Sequence, residues 1–295
     1  MTFGQKTNLI FFGTEEYSLV TLQTLVERDF RIAAVVTKPD SKKGRGQAYS
    51  QPAVKQYARQ HGIPVWQPHH LGDIAMDIEA LRPVTGILVA YGKIIPQSII
   101  DLFDPGIINL HPSLLPAYRG PSPIEAALLH QDRQTGISIM QLDAKMDAGP
   151  VYFQSQLNLN GTETKPDLYS QLFSMGSQAL ADRLAHIVDG SLPPKPQRDA
   201  DATYCSLLSK KDAWLDPTTT TASQADAHIR AFLGFPGSRL TLLGHEVIVT
   251  KAHVSDTPTD LSVKFADNKH LAIDALKPVG KKEMPARAFL LGRKK

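Results

Sequence analysis

Apolar runs of strand length alternate with longer amphipathic segments through the first half of the chain: NLIFFGT, RIAAVVT, PVWQP, GILVAYG and GIINLHP. Runs with no polar face suit strands buried on both sides, so the alternation predicts βαβ units and a mainly parallel sheet covered by helices. ISIMQLD and GPVYFQSQLNL read as two further strands around the polar loop AKMDA. From Pro166 to Asp189, the residues Leu168, Leu172, Met175, Leu180, Leu184 and Ile187 recur near one stripe, which predicts a long helix. The stretch GSLPPKPQRDADA has no apolar period and is expected to be a linker. After it come short alternating runs, RLTLLG, EVIVTKAHV, LSVKFAD and HLAIDAL, separated by Gly, Asp and Asn. That is an all-β signature, most simply a small barrel. The expected division is residues 1–189, a linker at 190–203, and a second domain at 204–295.

Composition changes this picture in two places. The chain has 295 residues, 42% of them hydrophobic and 21% charged, ordinary for a globular protein of two domains. Its one cysteine, Cys205, excludes an internal disulfide framework and a thiolate-only metal site, in keeping with a reducing compartment. The start, MTFGQKTNLIFFGT, has no basic segment leading into an apolar stretch and cleavage site, and no window approaches the length of a membrane span. A soluble cytoplasmic protein without a membrane partner is expected. The net charge of +3 conceals an asymmetry: residues 1–203 carry 18 Lys+Arg against 20 Asp+Glu, whereas 204–295 carry 14 against 9. A basic second domain on a slightly acidic first one suggests a polyanionic partner.

Several chemistries lack their signals. A dinucleotide site needs G-x-G-x-x-G so that backbone can approach a pyrophosphate, but FFGTEEYS offers only Gly13. Glu15 and Glu16, read at the start of the next helix, would repel a phosphate and complement the helix dipole instead. A Walker loop, an H-E-x-x-H helix and a G-x-S-x-G elbow are absent from the sequence. His69 and His70 stand together without further ligands at metal spacing, and read as a polar helix start. No metal is expected.

NLHPSLLPAYRGPSP, residues 109–123, is different. Ligands of open parallel sheets collect beyond the carboxyl ends of strands, where Asn109 and His111 lie. Residues i and i+2 of a strand face the same side, and the prolines that follow hold the chain out of a helix. The pair combines an amide donor for a developing oxyanion with a group that titrates near neutrality. Asp147, on the Gly-flanked loop AKMDAGP, is the candidate carboxylate to complete the set. Such a set suits acyl-type transfer to an amine, although an ordinary loop histidine also fits this spacing.

NLHPSLLPAYRGPSPIEAAL, followed by TGISIMQLDAKMDAGPVY, resembles the catalytic core of the 10-formyltetrahydrofolate-dependent formyltransferases. That resemblance implies Asn109, His111 and Asp147 as the catalytic triad. It implies a folate site bordered by Ser113, Leu114, Leu115 and Pro116 and lined by Ala90, Tyr91, Gly92 and Ile95. Glycinamide ribonucleotide, sugar-amine and methionyl-tRNA members share these motifs. Three further stretches resemble the methionyl-tRNA branch: TKPDSKKGRGQAYSQPAVK, LSKKDAWLD with HIRAFLGFPGSRL, and KPVGKKEMPARAFLLGRK. They imply initiator-tRNA contacts at Lys42, Lys43, Arg45, Lys281 and Lys282, an OB-like second domain, and a monomer. The resemblance covers about residues 8–295. Pro217, where that branch more often has an aromatic, and GFPGSR, which lacks its usual Trp, are departures confined to the second domain. A sugar-amine formyltransferase and a non-catalytic folate- or RNA-binding relative are the competing expectations.

Overall fold

A computed structural model describes residues 7–43 and 48–292. The first elements are β1 (Asn8–Gly13), α1 (Ser18–Glu27), β2 (Ile32–Val36), β3 (Ser41–Lys43), β4 (Ala48–Ser50), α2 (Ala53–Gln60), β5 (Val65–Trp66), α3 (Ala75–Ala80), β6 (Val84–Val89), α4 (Gln97–Ile100) and β7 (Ile107–His111). Next come α5 (Pro123–Leu129), β8 (Gln134–Gln141), β9 (Val151–Asn158) and α6 (Lys165–Val188). The last are α7 (Ala222–Ala231), β10 (Ser238–Leu242), β11 (His245–Ser255), β12 (Ser262–Lys264), β13 (His270–Pro278), β14 (Met284–Pro285) and α8 (Ala286–Leu291).

The chain divides into two compact units. The first holds Met1–Arg119, Gly136–Leu157 and Tyr169–Tyr204, and is built on a seven-stranded sheet in the order β5-β2-β1-β6-β7-β8-β9. The pairs from β5 to β7 are parallel and β8 is antiparallel to β7, as the buried apolar runs lead one to expect. Leu9 and Phe11 of β1 point to one face and Ile10 and Phe12 to the other, and all are buried. On one face the Phe12 ring meets Tyr91 and Phe103 edge-on at 5.7 Å. Elsewhere α6 lies close enough to β7 that a Cβ on Gly176 would stand 2.5 Å from Leu110 Cδ1. The hydroxyls of Thr21 and Ser177 tie α1 to α6 at 2.8 Å. Of the expected α6 stripe, Leu168, Leu172, Leu180, Leu184 and Ile187 are buried.

The strand order reverses at β1, which lies between β2 and β6, and the carboxyl ends of β1 and β6 open the crevice where doubly wound sheets bind ligands. Parallel pairing of Leu88 with Asn109 brings the end of β7 alongside the end of β6. Glu15 and Glu16 precede α1 rather than sitting in its first turn, because Ser18 Oγ donates to the Glu15 carbonyl at 2.6 Å and closes a separate turn there. His70 does head a short 3-10 turn, its N–H donating to Asp73 Oδ2 at 3.1 Å.

The segment expected to be a linker is bound into the first unit. Lys195 and Val151 exchange backbone hydrogen bonds of 2.8 Å, so the strap pairs with β9, the last strand of the sheet. A proline-rich polar segment forms no helix, yet its free backbone groups can cover an exposed sheet edge.

The second unit comprises Gly120–Thr135, Asn158–Leu168 and Cys205–Lys295. Its antiparallel sheet, β10-β11-β13-β12 with β14 on β13, forms an OB-like half-barrel. Leu240, Val247, Val249, Leu271, Ile273 and Phe289 fill its core. The all-β expectation is too simple here, because α7 also contributes Ala222, Ala225 and Ile229 to that core. Thr221 and Gln224 cap α7 reciprocally, and four of its five buried residues are alanines. Among the described residues, no helix is long and apolar enough to cross a membrane.

Candidate active site

Asn109 and His111 stand two residues apart on β7 with 6% and 5% of their surface exposed, as strand alternation requires of side chains on one face. The Asn109 carboxamide makes no hydrogen bond to a described residue, which leaves its N–H available to an outside acceptor. His111 Nε2 lies 3.0 Å from the Tyr118 carbonyl. A carbonyl can only accept, so Nε2 carries a hydrogen. Asp147 Oδ2 faces Nδ1 at 3.8 Å, with the carboxylate 15% exposed. That separation is too long for a direct hydrogen bond. The Tyr118 carbonyl thus holds the Nε2 edge of the ring, and Asp147 faces the Nδ1 edge.

Three non-glycine residues around this point adopt positive φ: Ala90 at 47°, Tyr118 at 57° and Asp147 at 48°. Each conformation costs on the order of 1 kcal/mol for an L-residue, somewhat less for Asp, and persists only where neighbours enforce it. The Ala90 carbonyl accepts from Thr14 and Glu15 N–H at 3.3 Å, which joins the loops after β1 and β6. Gly149 stands against β8 so tightly that a Cβ there would lie 1.9 Å from the Gln141 carbonyl oxygen, which limits the path of the Asp147 loop.

The residues expected around folate divide by exposure. Ser113 and Leu115 are buried, while Leu114 and Pro116 are half-buried. Ser113 Oγ donates to Ala117 O at 2.6 Å, Ser138 Oγ donates to Ser113 O at 2.7 Å, and Gln154 Nε2 donates to Leu115 O at 2.8 Å. The SLLP turn is thus a pinned loop. Gly92 is exposed, Ala90 half-buried and Ile95 buried. The Tyr91 side chain is fully buried in the core, where desolvation pushes its phenol up to about 12. The geometry brings the ends of β6 and β7 together in one place.

Residues 7–184 match the formyl transferase family, and 97% of the chain aligns at 36% identity with 96% of the methionyl-tRNA formyltransferase of Halorhodospira halophila. The chain belongs to the formyl transferase family. A second methionyl-tRNA formyltransferase, from Pseudoalteromonas translucida, is 35% identical over 98% of this chain and 95% of its own. In fold, this formyl transferase is similar to an N-formyltransferase from Helicobacter canadensis solved with folinic acid and dTDP-3-aminofucose: TM-score 0.70, 16% identity, 94% and 100% of the two chains. HypX from Aquifex aeolicus, solved with tetrahydrofolic acid, gives a TM-score of 0.68 at 16% identity. That match covers 96% of this chain but only 46% of HypX, so the chain spans about half the length of that protein.

The expected basic contacts of this formyl transferase lie in both units. Lys42 and Lys43 are on β3, which pairs with β4 as a hairpin, and Arg45 lies outside the described residues. The root of the hairpin is clamped by Lys55, 5% exposed, whose Nζ reaches both oxygens of Asp40 and Gln67 Oε1 at 2.7 Å. The hydrogen bond from Lys55 holds the Asp40 carboxyl below its ordinary value. Lys281 and Lys282 are exposed in the turn between β13 and β14. Tyr118, Ser138, Gln154 and Gln197 were not anticipated as site residues. Only Ser138 left a trace, as a lone polar residue in the run ISIM. Among the described residues, no group of three His, Cys, Asp or Glu is placed to hold a metal. A shallow depression of about 400 Å³ lined by Asp182, Arg183, His186, Ser191 and Leu192 carries no triad residue.

Proposed function

We propose that this chain transfers the formyl group of 10-formyltetrahydrofolate to the α-amine of methionyl initiator tRNA, for translation initiation. The observation that carries this reading is the convergence of Asn109, His111 and Asp147 in a chain matching, almost end to end, relatives named methionyl-tRNA formyltransferase. The amine nitrogen attacks the formyl carbon, and the carbonyl electrons move onto its oxygen, where the Asn109 N–H donates. Asp147 takes a proton from the amine nitrogen. His111, protonated on Nδ1, supports the oxyanion and supplies the proton that N10 needs when the C–N10 bond breaks. As the formylated product and tetrahydrofolate leave, Asp147 gives its proton up through solvent and Nδ1 of His111 takes one back, which restores both groups.

Ser113, Leu114, Leu115, Pro116, Ala90, Gly92 and Ile95 border the folate in this reading, and buried Tyr91 backs that wall. Lys42, Lys43, Arg45, Lys281 and Lys282 meet tRNA phosphates, which makes tRNA use strongly salt dependent. Residues 1–189 carry the chemistry and 204–295 the tRNA docking, in a cytoplasmic monomer. The competing acceptor, an amino sugar, has the fold likeness to the Helicobacter canadensis enzyme in its favour. Formyl transfer to methionyl initiator tRNA, with methionyl elongator tRNA and a nucleotide-linked amino sugar alongside, decides between them. Transfer to the initiator alone is expected; transfer to the sugar alone overturns the reading.

A further inference from the structure

We infer that Gln197, in the strap once expected to be a linker, is a positioning residue for this reaction: it sets Asp147 against His111. The inference rests on the function proposed above. Gln197 Nε2 donates to the Asp147 carbonyl at 2.8 Å and to the Gly149 carbonyl at 2.7 Å, and so holds the backbone on both sides of Ala148. Its Oε1 accepts from Arg119 Nε at 3.1 Å and Nη2 at 2.9 Å, so the carboxamide cannot flip without facing donor to donor. The Arg119 side chain is 2% exposed and its Nη2 also pairs with Asp199 Oδ1 at 2.8 Å, which makes it a fixed anchor rather than a waving surface cation.

The same strap reaches the other side of the histidine. Thr203 Oγ1 accepts from Tyr118 N–H at 2.9 Å, and the Thr203 carbonyl accepts from Arg119 N–H at 2.9 Å. Tyr118 is the residue whose carbonyl orients His111. One segment, Gln197 to Thr203, therefore fixes the partner of each ring nitrogen: the Tyr118 carbonyl for Nε2 and the Asp147 loop for Nδ1. Both Tyr118 and Asp147 hold positive φ, conformations that need outside support, and the strap provides that support at both. The 3.8 Å gap between Nδ1 and Oδ2 is set through hydrogen bonds that touch no reacting atom.

The test compares Gln197→Ala with Gln197→Glu in the full chain. The glutamate keeps acceptors for Arg119, and hence the fold, but has no N–H for the Asp147 and Gly149 carbonyls. Both variants are expected to lose about 10- to 100-fold in kcat, the scale of a small misplacement of reacting groups, with the folate KM within about twofold of wild type. The ring ¹⁵N signals of His111 should move in both, while the Tm of Gln197→Glu stays at the wild-type value. Unchanged kcat, or a kcat loss matched by a rise in folate KM and a fall in Tm of the glutamate variant, overturns the inference. If wild-type protein formylates neither tRNA nor sugar, the proposed function fails on its own. The His111 signals then decide the positioning role, and unchanged signals in Gln197→Ala reject it.

Discussion

The end of β7 and the turn between β13 and β14 were both expected to serve one reaction, and they are built in opposite ways. His111 and Asn109 are nearly inaccessible, and the histidine is held from one side by a carbonyl and faced from the other by a carboxylate. Lys281 and Lys282 are exposed, and among the described residues neither has an ion-pair partner. Bond rearrangement depends on fractions of an ångström, so its residues must be over-determined. Attraction of a polyanion depends on charge summed over a surface, so loosely held lysines serve, and each contributes little alone.

The sharpest way to break that contrast is Asp147→Asn, which keeps the shape and removes the base. Turnover should fall on the order of 10²- to 10⁴-fold while folate binding, followed by fluorescence quenching, is preserved. Near-normal turnover would remove Asp147 from the mechanism. Asn109→Ala should follow, with a loss of about 10²- to 10³-fold in kcat, the usual cost of one oxyanion donor. A change in folate KM alone would assign Asn109 to binding.

The exposed region should respond differently in kind. Lys281→Ala with Lys282→Ala should raise the KM for tRNA several-fold, leave kcat and the folate KM alone, and lower the slope of log KM against log salt by about 1 to 2. An unchanged slope would leave these lysines as solvated surface. The smallest effect concerns stability. His228 in α7 is half-buried against Phe232, at 4.1 Å between ring centroids, and donates through Nε2 to the Asp212 carbonyl at 2.9 Å. Burial lowers its affinity for a proton below the ordinary 6.5. Between 6.5 and that lower value the unfolded chain takes up a proton that the folded chain refuses, so stability falls as the pH drops through this window. His228→Gln, which retains a donor, should flatten the dependence of Tm on pH there by a few degrees at most. An unaltered slope would show that His228 does not contribute.

The sheet was legible because periodicity belongs to consecutive residues: NLIFFG and VTGILV state their burial in their own order. Helix α7 was not, since the face it buries is mostly alanine, a residue too small and too weakly apolar to mark a core by itself. The triad residues stood out through the motif around β7, but their relative geometry did not. The Tyr118 carbonyl and the two Gln197 contacts have no local signature, because backbone acceptors look alike in every sequence.

The sequence by itself determined the strands of the main sheet, the charge asymmetry and the candidates Asn109, His111 and Asp147. Tertiary structure decided which nitrogen of His111 meets the Tyr118 carbonyl and that the polar strap at Gln197 hydrogen-bonds the Asp147 loop. It also decided that the Tyr91 side chain is buried against Phe12. The reason is distance along the chain: Gln197 meets Asp147 across 50 positions, and Arg119 meets Tyr204 across 85. Local pattern says which side of an element is buried. Only the closing of one element on another says which hydrogen bonds meet there.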